Sequence, residues 1–134
     1  MDIIVLSGIE SSGKTATLNI LYNSIINDGG QSTSKVEFPK NPLDFSDIVY
    51  YNNKKIAFYS LGDHATFLAN AIIRYANDNC DLLICTFSVN MQMQRAQDVL
   101  KNFNATIRNK TFTADIKSEV QVNTVDAKTI MELI

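Results

Sequence analysis

The sequence is poor in cysteine and lacks long apolar runs, and both absences exclude classes of protein. Its two cysteines, Cys80 and Cys85, are too few for a secreted disulfide scaffold, so we expect small buried thiols in a cytoplasmic protein. No stretch approaches the ~20 apolar residues that cross a bilayer. Residues 1–6 lack the basic leader of a signal peptide, and their apolar run is too short. The sequence therefore predicts no membrane partner.

Charge is also scarce, and no basic block occurs. Lys, Arg, Asp and Glu make up 19% of the residues, the net charge is -2, and the sequence pI is near 5.2. This acidic balance argues against nucleic acid as the main partner. Hydrophobic residues, at 46%, are enough to bury a core, which excludes the disordered class. The length predicts one domain over residues 1–134.

Apolar periodicity and turn residues predict alternating strands and helices. Both prolines fall in 31–46, which predicts a long loop with a short extended piece at 34–38. Residues 104–117 carry no clear pattern, and Asn90 is a candidate cap for the third helix. The predicted elements are a strand at 2–7, a helix at 14–27, a hairpin of 48–51 with 55–59, a helix at 65–77, a strand at 82–87, a helix at 91–103, a strand at 119–124 and a helix at 127–134.

The order of these elements predicts an α/β fold. Strands that alternate with helices form a mostly parallel central sheet with helices on both faces. The hairpin adds at least one antiparallel strand. We expect the strand at 56–59 to lie beside the strand at 3–6, because both are apolar enough to be central.

A glycine-rich loop carries the clearest chemical signal. Residues 8–15 read Gly-Ile-Glu-Ser-Ser-Gly-Lys-Thr and match G-x-x-x-x-G-K-[ST] without a gap. The glycines let the backbone approach a phosphate, and the N–H groups from about Glu10 to Thr15 form an anion nest together with the helix N-terminus. Lys14 can reach the β- and γ-phosphates, and the Thr15 hydroxyl can ligate Mg²⁺. The residues expected to contact the triphosphate are Gly8, Glu10, Ser11, Ser12, Gly13, Lys14, Thr15 and Ala16.

On this motif, set between a predicted strand and a predicted helix, the chain resembles the P-loop NTPase superfamily, in particular small single-domain ATPases and nucleotide kinases. The likeness covers roughly the first thirty residues, and the element order fits the rest. The resemblance implies a three-layer P-loop NTPase-like sandwich, a nucleoside triphosphate, Mg²⁺ and a catalytic role for Lys14. It leaves the reaction open, because the superfamily includes kinases, ATPases and GTPases.

The superfamily carries a metal-supporting Asp at the end of a second apolar strand. Here Ser60 leaves that strand, and the acid comes three positions later, at Asp63. Two roles are open for Asp63: it supports Mg²⁺ through water, or it caps the following helix. His64 is the only histidine and is a candidate for orienting an attacking water. Glu10 would repel phosphates, so we expect it to point to solvent or to position water.

The guanine-reading motif N-K-x-D is incomplete, which favours ATP over GTP. Asn109-Lys110-Thr111-Phe112 has its first two letters and lacks the Asp, and Tyr59 stands where the D-x-x-G motif of small GTPases begins. Arg108 is the best candidate for an arginine on a lid-like segment. Because the loop after the last predicted strand often lies near the base in this fold, Asn123 and Thr124 are candidate adenine contacts.

Two functions from different classes follow. In the first, the protein is a Mg²⁺-dependent ATPase or a phosphotransferase on a small molecule, as the Lys14-Thr15 pair favours. In the second, it is a nucleotide-dependent switch or binding subunit with little turnover and a protein partner, for which a GTPase-like protein is one form. The absence of a strand-end Asp and the presence of only three arginines favour the second.

We predict that the chain binds ATP more tightly than GTP. Without the carboxylate of N-K-x-D, nothing evident in the sequence accepts the N1–H and N2–H₂ donors of guanine. Competition of the two nucleotides for one fluorescent analogue measures the preference. A clear preference for GTP would mean that another residue reads guanine and would favour the GTPase-like alternative.

Overall fold

The computed structural model describes residues 1–134, in which seven strands and four α-helices alternate. Helices 14–27 and 65–77 begin and end where the periodicity predicts. None of the helices is long and apolar enough to cross a bilayer. The elements are β1 (Asp2–Gly8), α1 (Lys14–Asn27), β2 (Gln31–Ser32), β3 (Val36–Phe38), β4 (Asn41–Tyr51), β5 (Lys54–Tyr59), α2 (Ala65–Asn77), β6 (Leu82–Ser88), α3 (Gln94–Leu100), β7 (Asn104–Asn109), a 3₁₀ turn (Ile116–Ser118) and α4 (Glu119–Met131).

The strands form one mixed sheet in the order β2-β4-β5-β6-β1-β7, with β3 also paired to β4. Four strands, β5, β6, β1 and β7, are parallel to one another. Strand β4 is antiparallel to β5, β2 and β3. All strands except β4 therefore run in one direction. The predicted α/β class and the mostly parallel sheet with one opposed hairpin strand are confirmed.

Helices cover both faces of the sheet, and each face has its own hydrophobic core. Alternate residues of β1 point to opposite sides: Ile3 and Val5 pack with α2 and α3, and Ile4 and Leu6 pack with α1 and α4. The central strands are buried on both faces, which explains why they read as continuous apolar runs. The sheet is thus held between two helical layers.

The prediction of the last strand was wrong. Residues 119–124 belong to one helix, α4, together with 127–131 of the predicted closing helix, and the strand beside β1 is β7 at 104–109, a segment without a clear sequence pattern. The alternation of Val120 and Val122 is misleading, because Val120 is largely exposed. The buried residues of α4 follow helical spacing instead: Asn123, Ala127 and Ile130.

Two further boundaries differ from the predictions. The third helix covers only Gln94–Leu100, and Asn90 does not cap it, since Met93 occupies the N-cap position. Strand β6 lies between β5 and β1. The strands at 56–59 and 3–6 were predicted to be neighbours, and this prediction was wrong. Both still end at the same edge of the sheet, because all three strands are parallel.

The predicted long loop at 31–46 is largely part of the sheet. Strand β4 begins at Asn41, and its pairing with β3 shifts register between the pairs Glu37–Phe45 and Phe38–Asn41. Residues 42–44 therefore form a bulge in β4. A bulge accommodates Pro42, because residues there make no ladder hydrogen bond.

A buried ion pair fastens the end of β7 to α4. Lys110 Nζ lies 2.8 Å from Asp126 Oδ2, and the Lys110 side chain is fully buried. Thr111 donates to the same carboxylate through its N–H and its hydroxyl. Burial alone raises the pKa of Asp126, but the hydrogen bonds from Lys110 and Thr111 outweigh it and hold that pKa below its ordinary value.

We predict that Asp126→Asn lowers the free energy of unfolding by about 3–5 kcal/mol at neutral pH, because Lys110 is left buried without a counter-charge. The lowered pKa makes the stabilisation complete above the unfolded-state pKa and removes it as the pH falls through the folded-state pKa. Urea unfolding at neutral and acidic pH should therefore show a difference that shrinks in acid. Asp98→Asn, at an exposed pair with Lys101, is the control and should cost under about 1 kcal/mol. An equal loss for Asp126→Asn at both pH values would contradict the ionic role.

Candidate functional site

A polar cleft of about 360 Å³ opens at the carboxyl ends of β1, β5 and β6. Ligands of open α/β sheets bind at this edge. The glycine loop, residues 8–15, forms one side, and residues from β4, the β5–α2 connection and β6 form the other. Only one of the lining residues is apolar; they are Glu10, Ser11, Gly13, Lys14, Thr15, Ala16, Asn41, Asp44, Ser60, Gly62, Asp63, Thr86 and Ser88.

The glycine loop presents unpaired backbone donors to the cleft. The first backbone bond at the start of α1 is from Thr17 N to Gly13 O, so the N–H groups of residues 13–16 donate to no protein acceptor. Ser11 has a φ of 61° and Gly13 a φ of 92°, which turns the chain sharply before the helix. Four N–H groups at a helix N-terminus form a favourable site for an anion.

Two N–H groups that the sequence assigns to this nest donate to protein acceptors instead. Glu10 N donates to Asn90 Oδ1 at 2.8 Å, and Ser12 N donates to Ile9 O at 3.3 Å. The nest is therefore narrower than the predicted span from Glu10 to Thr15. Asn90, predicted as a helix cap, instead ties the loop after β6 to the glycine loop.

Gly13 is required by both its conformation and its surroundings. Its positive φ is one that residues with a side chain rarely adopt. A Cβ at this position would also lie 2.7 Å from Oδ1 of Asn123, which α4 places behind the loop. The last helix therefore supports the glycine loop directly.

Lys14 lies inside the loop and is 7% exposed. Its Nζ donates to Ile9 O at 2.5 Å, so the ammonium group is folded back against the loop. Burial lowers the pKa of Lys14, and the negative charges of Asp63 and Glu10 oppose that shift. The negative charges of Asp63 and Glu10 offset only part of the cost of burying the Lys14 ammonium. A further anion beside the ammonium is therefore favoured.

Asp44 is a site residue that the sequence analysis missed. Its Oδ1 accepts from the Thr15 hydroxyl at 3.0 Å and from the Ser60 hydroxyl at 3.1 Å. Ser60 Oγ in turn accepts from Phe45 N at 2.8 Å. Asp44 lies in the β4 bulge, within a segment interpreted as loop, and bulges are known to re-aim side chains at functional sites.

Asp63 faces the cleft from a connection that is pinned across the end of β6. Gly62 N donates to Thr86 Oγ1 at 3.1 Å, and Ser88 N donates to Gly62 O at 2.9 Å. A Cβ on Gly62 would lie 2.0 Å from Thr86 O, so only glycine permits this approach. The Asp63 side chain makes no hydrogen bond within the protein, and α2 has no side-chain cap. The capping role that the sequence left open is therefore wrong.

Six predicted site residues lie outside the cleft lining: Gly8 and Ser12 of the glycine loop, and His64, Arg108, Asn123 and Thr124. His64 is exposed at the N-cap position of α2, with its ring 5.0 Å from that of Phe67. Arg108 lies on β7, where its Nη1 reaches only the neighbouring Ile107 O. Asn123 and Thr124 belong to α4 rather than to a loop after a strand. Asn123 still touches the glycine loop, whereas the Thr124 hydroxyl bonds back to its own helix.

The cleft suits a hard divalent cation. The residues in it include three carboxylates, Glu10, Asp44 and Asp63, against the single ammonium of Lys14. No group of three or more His, Cys, Asp or Glu side chains is arranged to hold a metal. Mg²⁺ does not require such a group, because it binds through one or two carboxylates, waters and phosphate oxygens. Asp44 Oδ1 with the Thr15 hydroxyl supplies oxygen ligands of that kind.

Comparison of the chain with protein-family models, curated proteins and solved structures gives no match.

Proposed function

We propose that the chain is a P-loop nucleotide-binding protein, with the corresponding three-layer sandwich fold, that binds ATP with Mg²⁺ and hydrolyses it. The observation that carries this proposal is the set of free N–H groups of residues 13–16 beside the Lys14 ammonium. They converge on the mouth of one cleft, next to oxygen ligands for a metal. A chain of phosphates with a divalent cation satisfies both groups together.

The Lys14 side chain must move before it can bind a phosphate. Its Nζ must leave Ile9 O and turn towards the cleft, where the β- and γ-phosphates would replace the carbonyl as acceptors. The exchange is favourable because a phosphate offers full negative charge to a buried ammonium. Lys14 and the N–H groups would then neutralise charge that develops on the transferred phosphoryl group.

Thr15 and Asp44 would hold the metal, with Ser60 fixing the Asp44 carboxylate. A divalent cation held by these residues would supply positive charge that offsets the negative charge of the phosphates. Asp63 and Glu10 lie near the Lys14 ammonium, as their opposing effects on its pKa indicate. On this proposal, either carboxylate would orient an attacking water and accept its proton.

The alternative, a nucleotide-dependent switch with little turnover, is favoured by one specific observation. None of the three arginines lines the cleft, and Lys14 is the only cation there. Rapid phosphoryl transfer usually needs further positive charge at the γ-phosphate. A Mg²⁺-dependent phosphate release that is slow alone and rises with a protein partner would support the switch. The same cleft binds the nucleotide in both cases.

We predict that Lys14→Ala lowers the affinity for ATP with Mg²⁺ by about 10- to 100-fold, because charge-assisted hydrogen bonds contribute about 1.5–3 kcal/mol. Isothermal titration calorimetry measures the change. Lys101→Ala, which removes an exposed lysine at the end of α3, is the matched control and should bind normally. Unchanged affinity in Lys14→Ala would reject nucleotide binding at the glycine loop.

A second pair of variants separates the two aspartates. Asp44→Asn should weaken ATP binding about 10-fold or more when Mg²⁺ is present and little when it is absent, because one charge-assisted metal contact is lost. Asp63→Asn should cost less affinity, because Asp63 has no hydrogen bond to the Thr15 hydroxyl. A Mg²⁺ titration of ATP affinity measures both. If Asp63→Asn shows the larger metal-dependent loss, the metal ligand is Asp63, as the sequence predicts.

A further inference from the structure

A second cavity, which we call the β3–α2 groove, lies on the α2 face of the sheet and has a volume of about 410 Å³. Ile48 and Tyr59 line it from the sheet, Val36 and Phe38 from β3, and Arg74 and Tyr75 from α2. Its volume is within the range of small-molecule sites, roughly 300–1,000 Å³. The groove shares no lining residue with the nucleotide cleft.

The groove contains two hydroxyl groups without protein partners, on residues that are largely buried. Ser46 and Tyr59 lie directly opposite each other on the β4–β5 ladder and are 9% and 5% exposed. Both line the groove, and neither side chain takes part in a hydrogen bond within the protein. Neither hydroxyl oxygen is sealed from solvent, so both are open to the groove. Burial raises the pKa of Tyr59 to about 12, so its hydroxyl is a donor at neutral pH. The two hydroxyls are therefore available to a bound acceptor.

The charges at the groove leave one cation uncompensated. Asp47 is satisfied by two hydroxyl and two backbone N–H donors. Asp78 is paired with Lys55 at 3.3 Å. Arg74 has no carboxylate partner: its guanidinium lies 4.8 Å from the centre of the Tyr75 ring, and its Nη2 donates to the Tyr75 hydroxyl at 3.1 Å. The groove therefore offers a guanidinium and hydroxyl donors to an anion.

We propose that the β3–α2 groove binds a small aromatic oxyanion, a planar ring that carries a carboxylate or a phosphate ester. The anionic group is received by Arg74 and by the hydroxyls of Tyr59 and Ser46. The ring packs against the outer edges of the Phe38, Tyr59 and Tyr75 side chains, which contact one another: the Phe38 and Tyr59 ring centres are 6.2 Å apart and the Tyr59 and Tyr75 ring centres 6.5 Å apart. This site does not depend on nucleotide binding at the glycine loop.

The probes for the test are benzoate and phenyl phosphate, with benzyl alcohol as the uncharged analogue. Two-dimensional NMR titration of the whole chain should show that both anions shift the resonances of residues that line the groove. Tyr59→Phe and Arg74→Gln should each weaken the binding about tenfold. Arg95→Gln, at an exposed arginine on α3, is the control and should bind like the wild type. Lys14→Ala should also bind like the wild type, which separates the groove from the phosphate-binding loop.

Both groove variants are expected to fold, so a loss of binding reports on the groove itself. Tyr59→Phe removes a hydroxyl that has no partner, and Arg74 is exposed, so thermal melting should remain near that of the wild type. Binding of only one of the two anions supports the proposal and identifies the head group. The proposal is overturned if neither anion shifts groove resonances, if benzyl alcohol binds as tightly as benzoate, or if the shifts disappear in Lys14→Ala.

Discussion

The parallel register of β1, β6 and β5 is the constraint on which the cleft depends. Gly8 at the end of β1 is paired with Ser88 at the end of β6, and β5 is paired with β6 up to Tyr59 and Cys85. The three strands therefore end at the same edge of the sheet. The loop after β1 brings backbone donors, the connection after β5 brings Asp63, and β6 brings Thr86 and Ser88 to a common space. The two apolar cores on either side hold this register, because a slip of one residue would turn every core side chain to the wrong face.

Sequence reasoning succeeded where local signals agree with tertiary packing. Helices 14–27 and 65–77 were predicted to the residue, because their apolar stripes are the faces that pack on the sheet. It failed where a pattern fits two periods: Val120 and Val122 suggested a strand, while Asn123 and Ala127 are the buried positions of a helix. It also missed Asp44. The bulge that aims Asp44 at Thr15 depends on the register of β3 with β4, which no local pattern specifies.

The electrostatics of the cleft depend on a balance between burial and charge. Burial disfavours the ammonium of Lys14, and the carboxylates of Asp63 and Glu10 restore part of its preference for the charged form. The same carboxylates repel an anionic ligand that arrives without a cation. For the nucleotide proposed here, the carboxylates would therefore disfavour the metal-free form, and this effect would come from their placement rather than from the glycine loop alone.

The contact between Asn123 and Gly13 has a consequence for the order in which the molecule assembles. The two residues lie near opposite ends of the chain, and the Lys110–Asp126 pair holds α4 in the same position. During synthesis the glycine loop leaves the ribosome long before the helix that packs behind it. Closing so long a stretch of chain is entropically costly and belongs to the late steps of folding. The nascent chain therefore cannot complete the cleft until α4 has been synthesised and has docked behind the glycine loop.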